Sequence, residues 1–277
     1  MAVAVRFEMI ESDAAPFLND AALRFRSPSG EPRKPLRFGI DLGTATIVLT
    51  AVDADDRPVY WDFSVCQAIR DGVVVDFAGA IREVRALVAR SNEALGLRIS
   101  EAATAFPPGV PSSEARACRY VLERCGIDCR LLLDEVSAAN VVVKLEDGAL
   151  VDVGGGSTGV GIFRDGKLVK LGDAAGGGHH LDLIVAGALH ISIEEAEKRK
   201  RSGDEQIAAL LTPGIERIAE TIRREVAGAQ VASVHLVGGA LMLPGAAGII
   251  SQYLDVRAVA YPHAHLITPY GMALAHG

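Results

Sequence analysis

The strongest constraint on how this chain can fold is a pattern that it carries twice. Residues 36–41 read as a strand closing on Asp41, Gly43-Thr44-Ala45-Thr46 as a turn, and residues 47–52 as a returning strand. About 110 residues later, residues 149–153 read as a strand carrying Asp152, followed by the turn Gly154-Gly155-Gly156-Ser157-Thr158-Gly159 and a strand over 160–163. Asp165-Gly166 then predicts a tight hairpin into residues 168–171. A single strand–Asp–turn–strand is commonplace, whereas two copies, each between strands, imply duplicated lobes. The chemistry of each copy is the same. A turn of glycine and hydroxyl residues exposes backbone N–H groups that cradle phosphate oxygens. An aspartate beside those oxygens is tolerated only with a cation between them, and magnesium with its retained waters satisfies both charges. Two such turns facing each other make a phosphate clamp, with Asp41 and Asp152 on a shared metal.

The bulk composition narrows the alternatives. Hydrophobic residues make up 49% and charged residues 23% of the 277, which describes a well-cored globular chain with room for one large domain or two lobes. A net charge of −7 argues against a nucleic-acid partner, since displacing counterions from phosphates needs clustered Lys and Arg. The most apolar stretch, 181–193, contains Asp182 and His190 and is too short to span a bilayer. The first residues lack the basic flank, apolar run and cleavage site of a signal peptide. Cys66, Cys118, Cys125 and Cys129 follow no metal or disulfide spacing and read as reduced core cysteines of a cytoplasmic protein.

Residues 1–35 stand apart as an extension and linker, with an amphipathic helix over 14–26 and a turn-rich run over 27–32. That helix is either packed on the core or a docking segment for a partner. Further on, the pattern predicts a helix over 77–94, a buried strand over 102–106 ended by Pro107-Pro108-Gly109, a helix over 113–125 and another over 137–144.

Several stretches carry a family resemblance. Gly39-Ile40-Asp41-Leu42-Gly43-Thr44 resembles the first phosphate motif of the actin-like ATPases, and Asp152-Val153-Gly154-Gly155-Gly156-Ser157-Thr158 the second. Val234-His235-Leu236-Val237-Gly238-Gly239-Ala240 is similar to their adenosine motif. Leu133-Asp134-Glu135-Val136-Ser137-Ala138-Ala139 is similar to the first connecting helix, and Ala196-Glu197-Lys198-Arg199-Lys200 to the helix that contacts the nucleoside in MreB-type relatives. The stretches 70–77, 102–109, 133–135 and 191–200, with Gly177-Gly178-His179-His180 and Thr268-Pro269, look most like the EutJ family, the actin-like ATPases of ethanolamine utilisation. The resemblance implies an α/β actin-like ATPase fold, with duplicated ribonuclease H-like lobes around a nucleotide cleft. Lobe I would hold residues 36–148 and be rejoined by 262–277, and lobe II would hold 149–261.

The same resemblance implies ATP or ADP with Mg2+ as ligands. Asp41 and Asp152 would hold the metal through water. Gly43, Thr44, Ala45, Gly154, Gly155, Gly156, Ser157 and Thr158 would bind phosphates. Glu135 would position water for in-line attack. Glu197 and Lys200 would contact ribose or base, and Gly238, Gly239 and Ala240 would floor the adenosine pocket. A chaperone-like switch, assembly or reactivation role follows, with a protein client from the ethanolamine lyase or microcompartment system and a location in the cytoplasm in association with such a compartment. Two other readings stay open: an MreB-like filament-forming ATPase, which would make the chain a homo-oligomer, and a small-molecule kinase, for which the second lobe leaves little room.

Departures from the pattern bear on activity. DnaK-type chaperones carry an aspartate seven positions after the second-motif Asp, where this chain has Gly159, and the usual Glu-Pro of the connecting motif is Glu135-Val136. Both imply a weak Mg-dependent ATPase whose hydrolysis is slow or depends on a partner. A full DnaK-type chaperone is not expected, because no peptide-binding domain follows the last helix. His179-His180 reads as a turn after the glycine run rather than a metal pair, and 194–201 as a solvated helix paired Glu194–Lys198 and Glu197–Arg201.

Overall fold

The structure is a computed structural model that describes residues 14–70, 73–202 and 205–276. The first thirteen residues of the expected extension, and Asp71-Gly72 within the 70–77 stretch, lie outside them. Helix α1 (Ala14–Ala22) precedes a meander of β1 (Arg37–Leu42), β2 (Thr46–Val52) and β3 (Pro58–Val65). A small ribbon, β4 (Ile69–Arg70) with β5 (Val73–Val74), leads into α2 (Phe77–Leu95), β6 (Glu101–Phe106), α3 (Ser112–Arg124) and β7 (Asp128–Asp134). After α4 (Glu135–Val143) the plan repeats with β8 (Gly148–Val153), β9 (Ser157–Arg164) and β10 (Lys167–Ala175). Three helices follow, α5 (Gly178–Leu189), α6 (Ile193–Arg201) and α7 (Glu205–Glu225), then β11 (Ser233–Val237), α8 (Ala246–Leu254) and β12 (Arg257–Ala260). A 3₁₀ turn, Ala264–Leu266, runs into α9 (Ile267–Ala275).

The duplication is visible in the sheets. One sheet has the order β3-β2-β1-β6-β7 and the other β10-β9-β8-β11-β12. In each, the first three strands are antiparallel and the last two run parallel to the first. This mixed arrangement is the expected α/β fold, with hairpins joining the antiparallel strands and helices crossing over between the parallel ones.

Local chemistry explains the element ends. Asp76 caps α2 by accepting from the Gly79 N–H at 2.9 Å, and Gly96 closes it at φ 62°. Asp165 and Gly166 have φ of 49° and 71°, the positive pair that a two-residue hairpin needs. Helix α4 begins at Glu135, two residues before the expected Ser137, because the Asp134 carboxylate accepts from the Ser137 N–H at 2.8 Å. Strand β10 outruns the expected 168–171 because its ladder with β9 continues to Ala175 opposite Ser157.

Three large apolar clusters organise the packing. One joins the first sheet to α2 and α3, and a second joins the other sheet to helices α5 to α8. The third lies between them and includes Leu18 of α1, Val136 and Val142 of α4, Leu150 of β8 and Ile267 and Tyr270 of α9. Helix α1 is therefore core. Ala14, Leu18 and Ala21 are buried, and Phe17 meets Tyr270 edge-on at 5.4 Å. The segment after α1 then lies along β3, with the Arg26 N–H bonded to the Trp61 carbonyl at 2.9 Å and the Ser29 N–H to that of Val59 at 2.9 Å. It covers part of an edge strand that would otherwise expose unpaired backbone groups. All four cysteines are free, and burial raises the thiol of Cys118 to about 12. No helix among the described residues is long and apolar enough to cross a membrane.

Candidate nucleotide site between the two sheets

The two repeated turns have one geometry. Leu42 pairs with Ile47 and Val153 with Thr158, so each tip holds four residues. Within each tip the first glycine donates back across the turn, Gly43 N–H to the Thr46 carbonyl at 3.1 Å and Gly154 N–H to the Ser157 carbonyl at 3.0 Å. The tips also meet. A Cβ added to Gly155 would lie 3.3 Å from both the Cβ and the backbone nitrogen of Ala45 and 3.4 Å from Thr44 Cβ. A side chain at Gly155 would be tighter than most Cβ contacts and would push the tips apart by a few tenths of an ångström.

The second tip is braced from behind. The carbonyls of Gly154, Gly155 and Gly156 accept from the N–H groups of Gly178, His179 and Gly176 at 2.9, 2.8 and 2.9 Å. The Thr158 hydroxyl donates to the Gly176 carbonyl at 2.7 Å. The start of α5 is thus spent on holding the loop. His179 and His180 sit in the first turn of this helix rather than in the expected turn, because Gly177 and Gly178 complete the chain reversal before them. Their rings are 6.5 Å apart at 73°.

Behind the tips stand three carboxylates. Asp41 lies near the end of β1 and Asp152 near the end of β8, and Glu135 opens α4. Burial, then the charge of Asp152, pushes Asp41 up to about 7. Burial lifts Asp152 to about 6 against the pull of a hydrogen bond from Thr268. Glu135 is raised well above the ordinary carboxylate range, first by burial and then by Asp152, Asp41, Asp173 and Asp134. The neighbours that act most strongly on Glu135 are all acidic, so negative charge gathers at this site. Its donor set is hard oxygen, which suits magnesium. Among the described residues no three His, Cys, Asp or Glu groups form a cage able to hold a metal alone. The carboxylates and the glycine-lined tips therefore fit a magnesium nucleotide.

The remaining expected residues fall around this centre. Gly238 follows β11 at φ 83°, where a side chain would collide with Asp152 Oδ1 and the Val153 carbonyl. The Ala240 N–H donates to that carbonyl at 3.1 Å, so residues 238–240 lie against the base of the second tip. Glu197 pairs with Arg201 at 2.6 Å, as its spacing predicts, whereas the neighbouring ion pair is Glu195–Arg199 rather than Glu194–Lys198. Lys200 departs from the solvated-helix expectation. It is 8% exposed, pairs with Asp182 at 2.5 Å and donates to the Gly178 carbonyl at 3.1 Å. Its charge is committed beneath the second tip, not shared with Glu197 on an open face.

Two contacts came from the tertiary structure alone. Thr268 at the start of α9 donates to Asp152 Oδ2 at 2.5 Å. Asp173 lies opposite Gly159 on the β9–β10 ladder and adds to the charge on Glu135. Asp173 thus places a carboxylate on the strand beside Gly159.

Two five-stranded sheets of identical strand plan, with matched turns meeting over buried carboxylates, define an actin-like ATPase fold. The MreB5 protein of Spiroplasma citri bound to ADP superposes with a TM-score of 0.71 over 87% of this chain and 95% of that one, at 15% identity. The MreB/Mbl family model matches residues 60–198 and that of the cell division protein FtsA residues 149–274. The crystal structure of the ethanolamine utilization protein EutJ from Carboxydothermus hydrogenoformans matches with a TM-score of 0.88 at 36% identity, covering 95% of this chain and 98% of that one. The ethanolamine utilization protein EutJ of Escherichia coli K12 is 36% identical over 259 residues, 93% of this chain and 92% of that protein. The chain belongs to the EutJ family of the actin-like ATPase superfamily.

Proposed function

We propose that the chain binds ATP with magnesium between its two turns and acts as a nucleotide-dependent switch of ethanolamine utilisation, serving as an assembly or reactivation factor for microcompartment enzymes. The observation that carries this reading is the meeting of the tips, with Gly155 against Ala45 over Asp41 and Asp152. The related MreB5 structures contain ADP and AMPPNP. In this reading residues 36–148 with 262–277 form one lobe and 149–261 the other.

The backbone N–H groups of Gly43, Thr44 and Ala45 and of residues 154–158 hold the β- and γ-phosphates. Asp41 and Asp152 would hold magnesium through water, and the bound ion would supply charge neutralisation to the phosphoryl group being transferred. Glu135 orients the attacking water and accepts its proton as the general base. Gly238, Gly239 and Ala240 floor the adenosine pocket, and Glu197 reaches the ribose. Lys200 acts indirectly, by pinning the Gly178 carbonyl under the second tip.

Calorimetric titration of ATP with and without Mg2+ into wild type and Asp152→Ala, with phosphate release followed in parallel, tests the reading. Magnesium-dependent binding that the substitution abolishes supports it. A wild type that binds no nucleotide at any magnesium concentration refutes it.

A further inference from the structure

The hydrogen bond between Thr268 and Asp152 joins residues 116 positions apart, and both side chains are buried. Its significance lies in what holds Thr268. Helix α9 is fastened to the first sheet at several points. The Thr50 hydroxyl of β2 donates to the Pro269 carbonyl at 2.8 Å, and the Tyr270 hydroxyl donates to the Tyr60 carbonyl of β3 at 3.2 Å. At Gly39 of β1 an added Cβ would strike the Pro269 carbonyl and the Ala273 nitrogen. At Gly271 an added Cβ would strike the Ala138 carbonyl of α4. Backbone contacts at glycine leave no slack for the helix to slide. Thr268 is thus a fixed point of the first sheet that reaches a carboxylate of the second.

Asp152 is constrained on both oxygens. Oδ2 receives the Thr268 hydroxyl, and Oδ1 lies against Gly238. A carboxylate on a short side chain, gripped at one oxygen and walled at the other, has one orientation open to it. We infer that Thr268 is the positioning residue that sets Asp152 relative to Asp41, and thereby sets how tightly the pair takes magnesium. The inference rests on the nucleotide reading above and deepens it. Because the donor belongs to α9 and the acceptor to β8, any motion that separates the sheets stretches this bond. The grip on the metal-facing carboxylate is therefore coupled to closure of the cleft.

A purely structural role predicts that removing the hydroxyl damages the fold or the whole site alike. A positioning role predicts a selective loss. The experiment titrates Mg2+ at fixed ATP, and ATP in EDTA, into wild type, Thr268→Ser and Thr268→Val. A hydrogen bond to a charged group is strong enough that Thr268→Val is expected to need about tenfold more Mg2+ or greater for half-maximal binding. Thr268→Ser keeps the hydroxyl and is expected to stay within about threefold of wild type. Binding in EDTA is expected to be the same in all three. Thr268→Ala, which adds no new bulk, carries the test if the valine variant does not fold.

Wild-type magnesium dependence in the hydroxyl-free variant overturns the inference while leaving the nucleotide reading standing. Equal impairment of the serine and hydroxyl-free variants, or an equal loss in EDTA, assigns Thr268 to packing and also overturns it. A wild type without magnesium-dependent binding removes the nucleotide reading and the inference with it.

Discussion

Replacing Asp41 by asparagine should stabilise the nucleotide-free protein while impairing its site. The Asp41 carboxyl is raised from 3.8 to about 7 by burial and by the charge of Asp152. A carboxylate whose folded-state pKa exceeds its unfolded value favours the folded state only while protonated. Between pH 3.8 and about 7 the folded chain holds the extra proton, so stability falls as pH rises, and above pH 7 the full penalty is present. The shift corresponds to a ceiling of about 4 kcal/mol at pH 8, and water entering the cleft brings the expected cost to roughly 2 kcal/mol. Asparagine keeps the shape and sheds the charge. In EDTA without nucleotide, thermal melts at pH 8 should place Asp41→Asn about 5 °C above wild type. The gap should shrink at pH 5, where wild-type Asp41 is largely protonated. Adding ATP with magnesium at pH 8 should raise the wild type and leave the variant nearly unmoved. A variant no more stable than wild type at pH 8, or a gap that does not close at pH 5, would mean that the carboxylates are not crowded as described.

Four further outcomes can be checked. Glu135→Gln should bind ATP with near wild-type affinity yet release phosphate at least about a hundredfold more slowly, since a glutamine cannot take the water's proton; an unchanged release rate in single turnover removes Glu135 from that role. Gly155→Val should abolish nucleotide binding without unfolding the chain, because its side chain would press on Ala45 and Thr44; retained binding in calorimetry would show that the tips do not need to meet. Leu18→Ala should destabilise the protein by about 2–4 kcal/mol in denaturant titration, because Leu18 is fully buried in the cluster shared with α9; a neutral result would return α1 to the status of a loose segment. His235 is held down to about 4 by burial and then by Arg257, so its neutral form stabilises the fold at pH 7 and that contribution is lost as pH falls from 6.5 through 4. The stability difference between wild type and His235→Asn should narrow over that window, and a flat difference refutes the assignment.

The sequence by itself determined the repeated strands, the glycine turns and the carboxylates at their bases. These are local features: alternation along a strand, the need for glycine at a tight reversal, and an acid beside a phosphate-sized cradle all act within a few residues. It therefore announced the duplicated architecture and the two turns with Asp41 and Asp152, while Glu135 and Gly238 came only through the family resemblance. Where local rules competed it was less decisive. Ser137 looked like a helix start because Asp134 gives no outward sign that it will cap the turn itself, and Lys200 looked solvated because neighbours in a charge run conceal an inward partner such as Asp182. Whether α1 docks or packs was open until Leu18 found its place in the cluster shared with α9.

Only the tertiary structure decided how the two halves meet. No pattern links Thr268 to Asp152 across 116 residues, or sets Asp173 opposite Gly159 as a charge on Glu135. Those contacts arise because α9 returns to the first sheet and its backbone is locked at Gly39 and Gly271. The same packing buries Asp152, brings the half-buried Asp41 and Glu135 beside it, and raises the pKa values of all three. A carboxylate's charge state depends on the distance to other charges and to water, and folding sets those distances between residues that are remote along the chain.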